Sequence, residues 1–119
     1  MTDFRTLEEW DKAHRLTVEI YKITRSFPES EILGLTQQIR LACAAIPIKV
    51  AQGYDREDVE EQIDFLKFAR DSAIEVQYYL LLAYELQFME ISDYDRLVSS
   101  LIEVKEILEQ SIYGLNHNP

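Results

Sequence analysis

Between Gly34 and Arg56 the chain reads as a helix that is apolar on nearly every side. At about 100° per residue, Leu35, Ile39, Ala42, Cys43, Ile46 and Val50 form one stripe, while Leu41, Ala44, Ala45 and Ile48 lie on the far side. One stripe serves one small core, so the second asks for a further set of neighbours. Pro47 stands inside this helix, where a missing N–H and a clash with the carbonyl four residues earlier predict a kink near Cys43. Gly53 and the residues after it are expected to close the helix.

The other helices read around this one. Leu7, Trp10, His14, Thr17, Tyr21 and Thr24 recur three and four apart and predict helix 1 over 7–26, its stripe widened by Leu16, Ile20, Ile23 and Phe27. Glu8 with Lys12 and Asp11 with Arg15 stand four apart, acid first, on the opposite face. Pro28 ends that helix, and helix 2 is predicted over 32–54. Helix 3 opens on Glu57, Asp58, Glu60 and Glu61 and runs over 57–88, with Val59, Leu66, Ala69, Ala73, Val76, Leu80, Ala83 and Tyr84 as its stripe. Past Glu75 its polar face disappears, since Tyr78, Tyr79, Leu81 and Leu82 surround the axis. Ser92 reads as the N-cap of helix 4, in which Tyr94, Leu97, Leu101, Val104, Leu108, Ile112 and Leu115 keep a coiled-coil-like spacing. The tail from Asn116 to Pro119 is expected to fray. Four helices with tight connections predict an all-α, antiparallel up-down-up-down four-helix bundle occupying 1–119 as one domain.

Composition narrows the class without naming a function. The 119 residues, 47% of them hydrophobic, suffice for one ordinary core, and three Gly and three Pro leave no visible linker. The N-terminus lacks a signal-peptide pattern and the apolar runs are too short to span a bilayer, so a cytoplasmic protein without membrane contact is expected. Cys43 reads as a buried, inert thiol. The net charge of −10 is unevenly placed: eight basic and eight acidic residues stand up to Arg56, four and fourteen after it. Phosphate neutralisation needs Lys and Arg, so the second half is disfavoured for nucleic acid.

Chemistry finds little support. A di-iron bundle needs Glu-x-x-His from two helices, and neither His14 nor His117 has a Glu three residues earlier. With two His and one Cys, no metal cluster, phosphate loop or Ser-His-Asp order can be assembled. The chain reads as a non-enzyme with neither metal nor cofactor, His14 as a packed, hydrogen-bonded histidine and Trp10 as an anchor. Arg40, Lys49, Arg70 and Lys105 border apolar stripes. Their stems can snorkel along apolar surface or pair with acids such as Glu75; alternatively Arg40, Lys49, Arg56 and Arg70 gather into a basic pocket for a polyanion or an acidic partner.

Several segments resemble a known family. D-F-R-x-L-x-x-W-x-x-A at Asp3 to Ala13, F-P-x-x-E at Phe27 to Glu31, G-L-T-x-Q-I-R at Gly34 to Arg40, I-P-x-x-V-A-x-G-Y at Ile46 to Tyr54 and F-L-x-x-A-R-x-S-x-x-E at Phe65 to Glu75 are similar to the four-helix-bundle proteins encoded in 23S rRNA intervening sequences. The resemblance implies a ring-like homo-oligomer, usually a pentamer. It also brings in the accessory proteins of diversity-generating retroelements, which partner a reverse transcriptase and RNA. Arg40, Gly53, Tyr54, Arg70, Ser72 and Glu75 carry the family's residue type. Departures fall where the pattern commonly has Arg at Leu41, Ser-Asn at Ile48-Lys49 and Glu at Gln52; an apolar 41 and 48 favour an interface over RNA binding. The expected partner is therefore a second copy of the chain, through Leu41, Ala44, Ala45, Ile48, Tyr78 and Leu82. A protein or RNA partner would meet Arg40, Lys49, Tyr54, Arg56, Arg70 and Glu75. The expected function is a non-catalytic scaffold or adaptor, with a nucleic-acid-associated factor as the alternative.

Overall fold

The computed structural model describes residues 3–117. Four helices, α1 Glu8–Ile23, α2 Leu35–Tyr54, α3 Val59–Glu85 and α4 Ile91–His117, form a bundle with extents of 48 × 22 × 20 Å. Each helix packs on its neighbour in sequence, and α1 against α4 closes the square. The polar ties show the alternating direction. Thr17 on α1 meets Cys43 on α2, and Thr24 just past α1 meets Arg40. Arg70 and Gln77 on α3 meet Glu109 and Lys105 on α4. Glu9 on α1 meets Ser111, and Arg96 reaches Glu19.

The core follows the stripes predicted for α3 and α4 except at the start of α3, where Val59 is exposed and Ile63 is buried instead: Leu66, Ala69, Ala73, Val76, Leu80 and Ala83 face Leu97, Leu101, Val104, Leu108 and Ile112, all buried. On α2 the stripe from Leu35 to Val50 is likewise buried, and Cys43 within it is fully enclosed. Helix 1 differs. Its buried line is Ala13, Leu16 and Ile20, and the expected stripe through Trp10, His14 and Tyr21 lies on the flank toward α2. The broad apolar surface of α1 allowed either centre, and α4 took the Leu16 side. Lys12 consequently pairs with Glu103 across the α1/α4 seam instead of with Glu8, whereas Arg15 and Asp11 keep the intrahelical pair at 3.0 Å.

Several boundaries move for identifiable reasons. The end of α1 tightens into a 3-10 turn over Thr24–Ser26, and another over Glu29–Glu31 takes the chain to α2. There the Glu31 carboxylate accepts from the Leu35 N–H at 3.0 Å, satisfying one of the free donors of the first turn. Helix α3 starts at Asp58, whose side chain accepts from the Glu61 N–H. It stops at Glu85, three residues before the expected end, because Gln87 adopts φ 65°. The Phe88 N–H then reaches Ala83 O and the Gln87 N–H reaches Tyr84 O, each at 2.9 Å. This is a Schellman closure with Gln at the position glycine usually holds. Helix α4 begins before Ser92, which is therefore not its cap; the Tyr94 N–H donates to Glu90 O at 3.0 Å.

Two features of α2 place the rest. The helix is continuous through buried Pro47. Proline leaves the Cys43 carbonyl without its helical donor, and the Thr17 hydroxyl stands 3.3 Å from that oxygen while also 2.8 Å from Ala13 O. Gly53 lies inside the helix without a positive φ. Its role is close approach: a Cβ there would meet Phe65 Cβ at 2.8 Å, so α2 and α3 converge only because that atom is missing. The tail expected to fray is helical through His117, whose ring stacks on Tyr113 at 3.9 Å; Asn118 and Pro119 lie outside the described residues.

Candidate functional site

The outward side of α2 is poor in charge. From Leu35 to Tyr54 the helix carries only two charged residues, Arg40 and Lys49. Both lean away from its outer face onto aromatic rings of neighbouring helices. The Arg40 guanidinium lies 4.9 Å from the Tyr21 ring, and its Nε donates to Thr24 Oγ1 at 2.8 Å. A second guanidinium nitrogen donates to Tyr21 O at 3.3 Å. This cation therefore closes the C-terminal end of α1, where positive charge is favoured. Lys49 Nζ lies 6.0 Å from the Phe65 ring.

What remains outward is uncharged: Leu41 is 58% and Ile48 52% exposed, with half-buried Ala44 and Ala45 between them. Beside them runs a groove of about 340 Å³ between α1 and α2, walled by Trp10, His14, Thr17, Pro47, Ile48 and Ala51. Trp10 is its rigid element. Phe4 packs edge-on against the indole at 5.2 Å and His14 stacks on it at 4.8 Å with 11° between the planes. His14 is thus an exposed stacking residue, not the packed and hydrogen-bonded core histidine expected from the stripe. On α3, Tyr78 is 59% exposed and Leu82, one turn on, is half-buried.

The residues considered for a basic pocket are held in three places. Arg40 is at the Tyr21 end. Lys49 and Arg56 flank Phe65, Arg56 at 4.9 Å from the ring, with Tyr54 nearby on the last turn of α2. Arg70 points toward α4 and pairs with Glu109 at 3.2 Å and more loosely with Asp71 at 3.8 Å. Glu75 is exposed and is not among its partners. Lys105 donates to Gln77 at 3.0 Å. Lys49 and Arg56 both belong to the end of α2 in the sequence reading, but Arg56 lies beyond the last helical residue, Tyr54, and nothing in α2 reveals that Phe65 stands between them.

Reactive groups are muted. Burial pushes the Cys43 thiol from its ordinary 9.0 up to about 11, only partly offset by the Thr17 hydroxyl 3.5 Å away, so the sulfur stays protonated and enclosed. Among the described residues no group of three or more His, Cys, Asp and Glu side chains is placed to hold a metal ion, and no helix is long and apolar enough to cross a membrane.

The family model for the 23S rRNA-intervening sequence protein matches residues 5–110. The crystal structure of a protein with unknown function from the S23 ribosomal protein family of Bacteroides thetaiotaomicron is similar in fold. It superposes with a TM-score of 0.79 over 87% of this chain and 97% of its own, at 20% identity. No curated protein matches the chain.

Proposed function

The chain belongs to the 23S rRNA-intervening sequence protein family, and from that membership we propose a non-catalytic scaffold or adaptor in the cytoplasm whose working form is a homo-oligomer joined through the outer face of α2. The observation that carries this reading is the uncharged surface from Leu41 to Ile48, whose two large side chains are more than half exposed. Contiguous apolar patches of this kind are uncommon on monomers and mark interaction surfaces. Both charges of the helix are drawn off onto Tyr21 and Phe65, which leaves the face dry enough for a permanent contact.

Closing a ring takes two different patches on each copy. Leu41 and Ile48 on α2 supply one, and Tyr78 with Leu82 on α3 supplies the other. A pentamer is the ring size that the family resemblance favours. An RNA or reverse-transcriptase accessory role has less support. It would want its cations gathered and free, whereas Arg40, Arg56 and Arg70 are engaged at separate points.

Light scattering tests the reading. The expected mass at micromolar concentration is a multiple of 14.0 kDa, and Leu41→Glu or Ile48→Glu is expected to dissociate the assembly with helix content intact. A wild-type mass of one chain would sink it, and unchanged mass in both variants would move the interface elsewhere.

A further inference from the structure

At the end of the bundle where α1 and α3 begin and α2 and α4 finish, the four helices leave a cavity of about 380 Å³. That volume lies within the range of small-molecule sites, roughly 300 to 1,000 Å³. Its walls are apolar at Val50, Leu66 and Leu115, and Glu9, Tyr54, Gln62 and Ser111 bring polar groups to it. Glu9 takes a hydrogen bond from Ser111 Oγ at 2.6 Å on one carboxylate oxygen. Gln62 donates its amide N–H to Arg56 O at 2.6 Å, which leaves its carbonyl oxygen to accept. Among the described residues that line the space, Glu9 is the one charged side chain.

Gly114 adds a second, independent observation. It sits in α4 with no positive φ, and a Cβ there would meet nothing within 4 Å. Neither a turn nor close packing requires glycine, which is the poorest helix former after proline. What its missing side chain does accomplish is to keep the cavity open, since Gly114 is part of the wall.

We propose that this cavity binds a small amphipathic amine, its ammonium group on Glu9 with Gln62 as a further acceptor, and its apolar body against Leu66 and Leu115. A half-buried carboxylate that is the one charged group among the described lining residues favours a ligand that brings the positive charge. The inference is independent of the oligomer reading, because the cavity is built within one copy.

Calorimetry and amide-resonance titration with hexylammonium and phenethylammonium, each against its alcohol analogue, test it. Saturable binding of the amines is expected, with shifts centred on Leu7, Gly114 and Leu115. The alcohols should bind about tenfold more weakly, the factor carried by one charge-assisted hydrogen bond. Glu9→Gln should weaken amine binding by a similar factor, and Gly114→Leu should abolish it at unchanged helix content. No saturable binding up to roughly ten millimolar, equal affinity for amine and alcohol, or shifts centred elsewhere would overturn the proposal. Glu9→Gln serves as the deciding variant if Gly114→Leu does not fold.

Discussion

Two glycines inside helices should respond to the same substitution with opposite sign, and the difference follows from the space around each. In Gly53→Ala the new Cβ would stand 2.8 Å from Phe65 Cβ. Carbon atoms in contact rest at about 3.5 to 4.0 Å, so α2 and α3 must part by roughly 1 Å at this crossing. Phe65 Cβ is fixed to the backbone and cannot swing aside, and its ring is flanked by Lys49 and Arg56. Overpacking of this kind costs about 1 to 3 kcal/mol, while replacing a helical Gly with Ala returns up to about 1 kcal/mol. The net expectation is destabilisation by about 1 to 2 kcal/mol. For a chain of this size that lowers Tm by about 4 to 8 °C.

Gly114→Ala meets open space, so only the propensity gain remains, and stability should rise by a few tenths to about 1 kcal/mol. Urea unfolding followed by circular dichroism, at one protein concentration so that assembly contributes equally, reads both. If Gly53→Ala stabilised the protein as much as Gly114→Ala, the close approach of α2 and α3 would be wrong.

Gln87→Gly should stabilise by about 0.5 to 1 kcal/mol by relieving the φ of 65° at the end of α3; a loss in the same urea assay would argue against the Schellman closure. Thr17→Val should cost about 1 kcal/mol by removing the donor beside the Cys43 carbonyl. The cost should shrink on a Pro47→Ala background, where a backbone N–H returns to that oxygen; equal costs in both backgrounds would show that the hydroxyl serves Ala13 alone. The raised Cys43 thiol keeps its proton in the native state where the unfolded chain would ionise. Its contribution is therefore complete below pH 9.0 and is lost as pH rises toward about 11, by roughly 3 kcal/mol at most. A wild-type minus Cys43→Ala stability difference that stayed flat across that window would contradict the burial. Filter binding of structured and single-stranded RNA at low salt is expected to show no tight, salt-sensitive complex; sub-micromolar affinity abolished by Arg40→Glu and Arg70→Glu would reverse the preference for a scaffold.

Where the hydrophobic period had one possible centre, sequence alone determined the outcome. The stripes of α3 and α4 and the two-sided apolar character of α2 are local properties of a repeating pattern, readable because each residue's face depends only on its position along one helix. Helix 1 shows the limit. Its apolar arc spans both Leu16 and His14, and only the docking of α4 decided that Leu16 is core and His14 a stacking residue on Trp10. Helix ends were legible to within a residue or two where acids cluster, as around Asp58, misread at Ser92, which lies inside α4, and illegible at Gln87, where a residue without glycine's freedom takes glycine's conformation. The cations illustrate the same division. Charge counts disfavoured the second half for nucleic acid, but the placement of Lys49 and Arg56 on Phe65, and of Arg70 on Glu109, is a matter of which helices meet. The end cavity lies furthest from the sequence, because Glu9 and Ser111 are 102 positions apart and become one site only when all four helix ends are brought together.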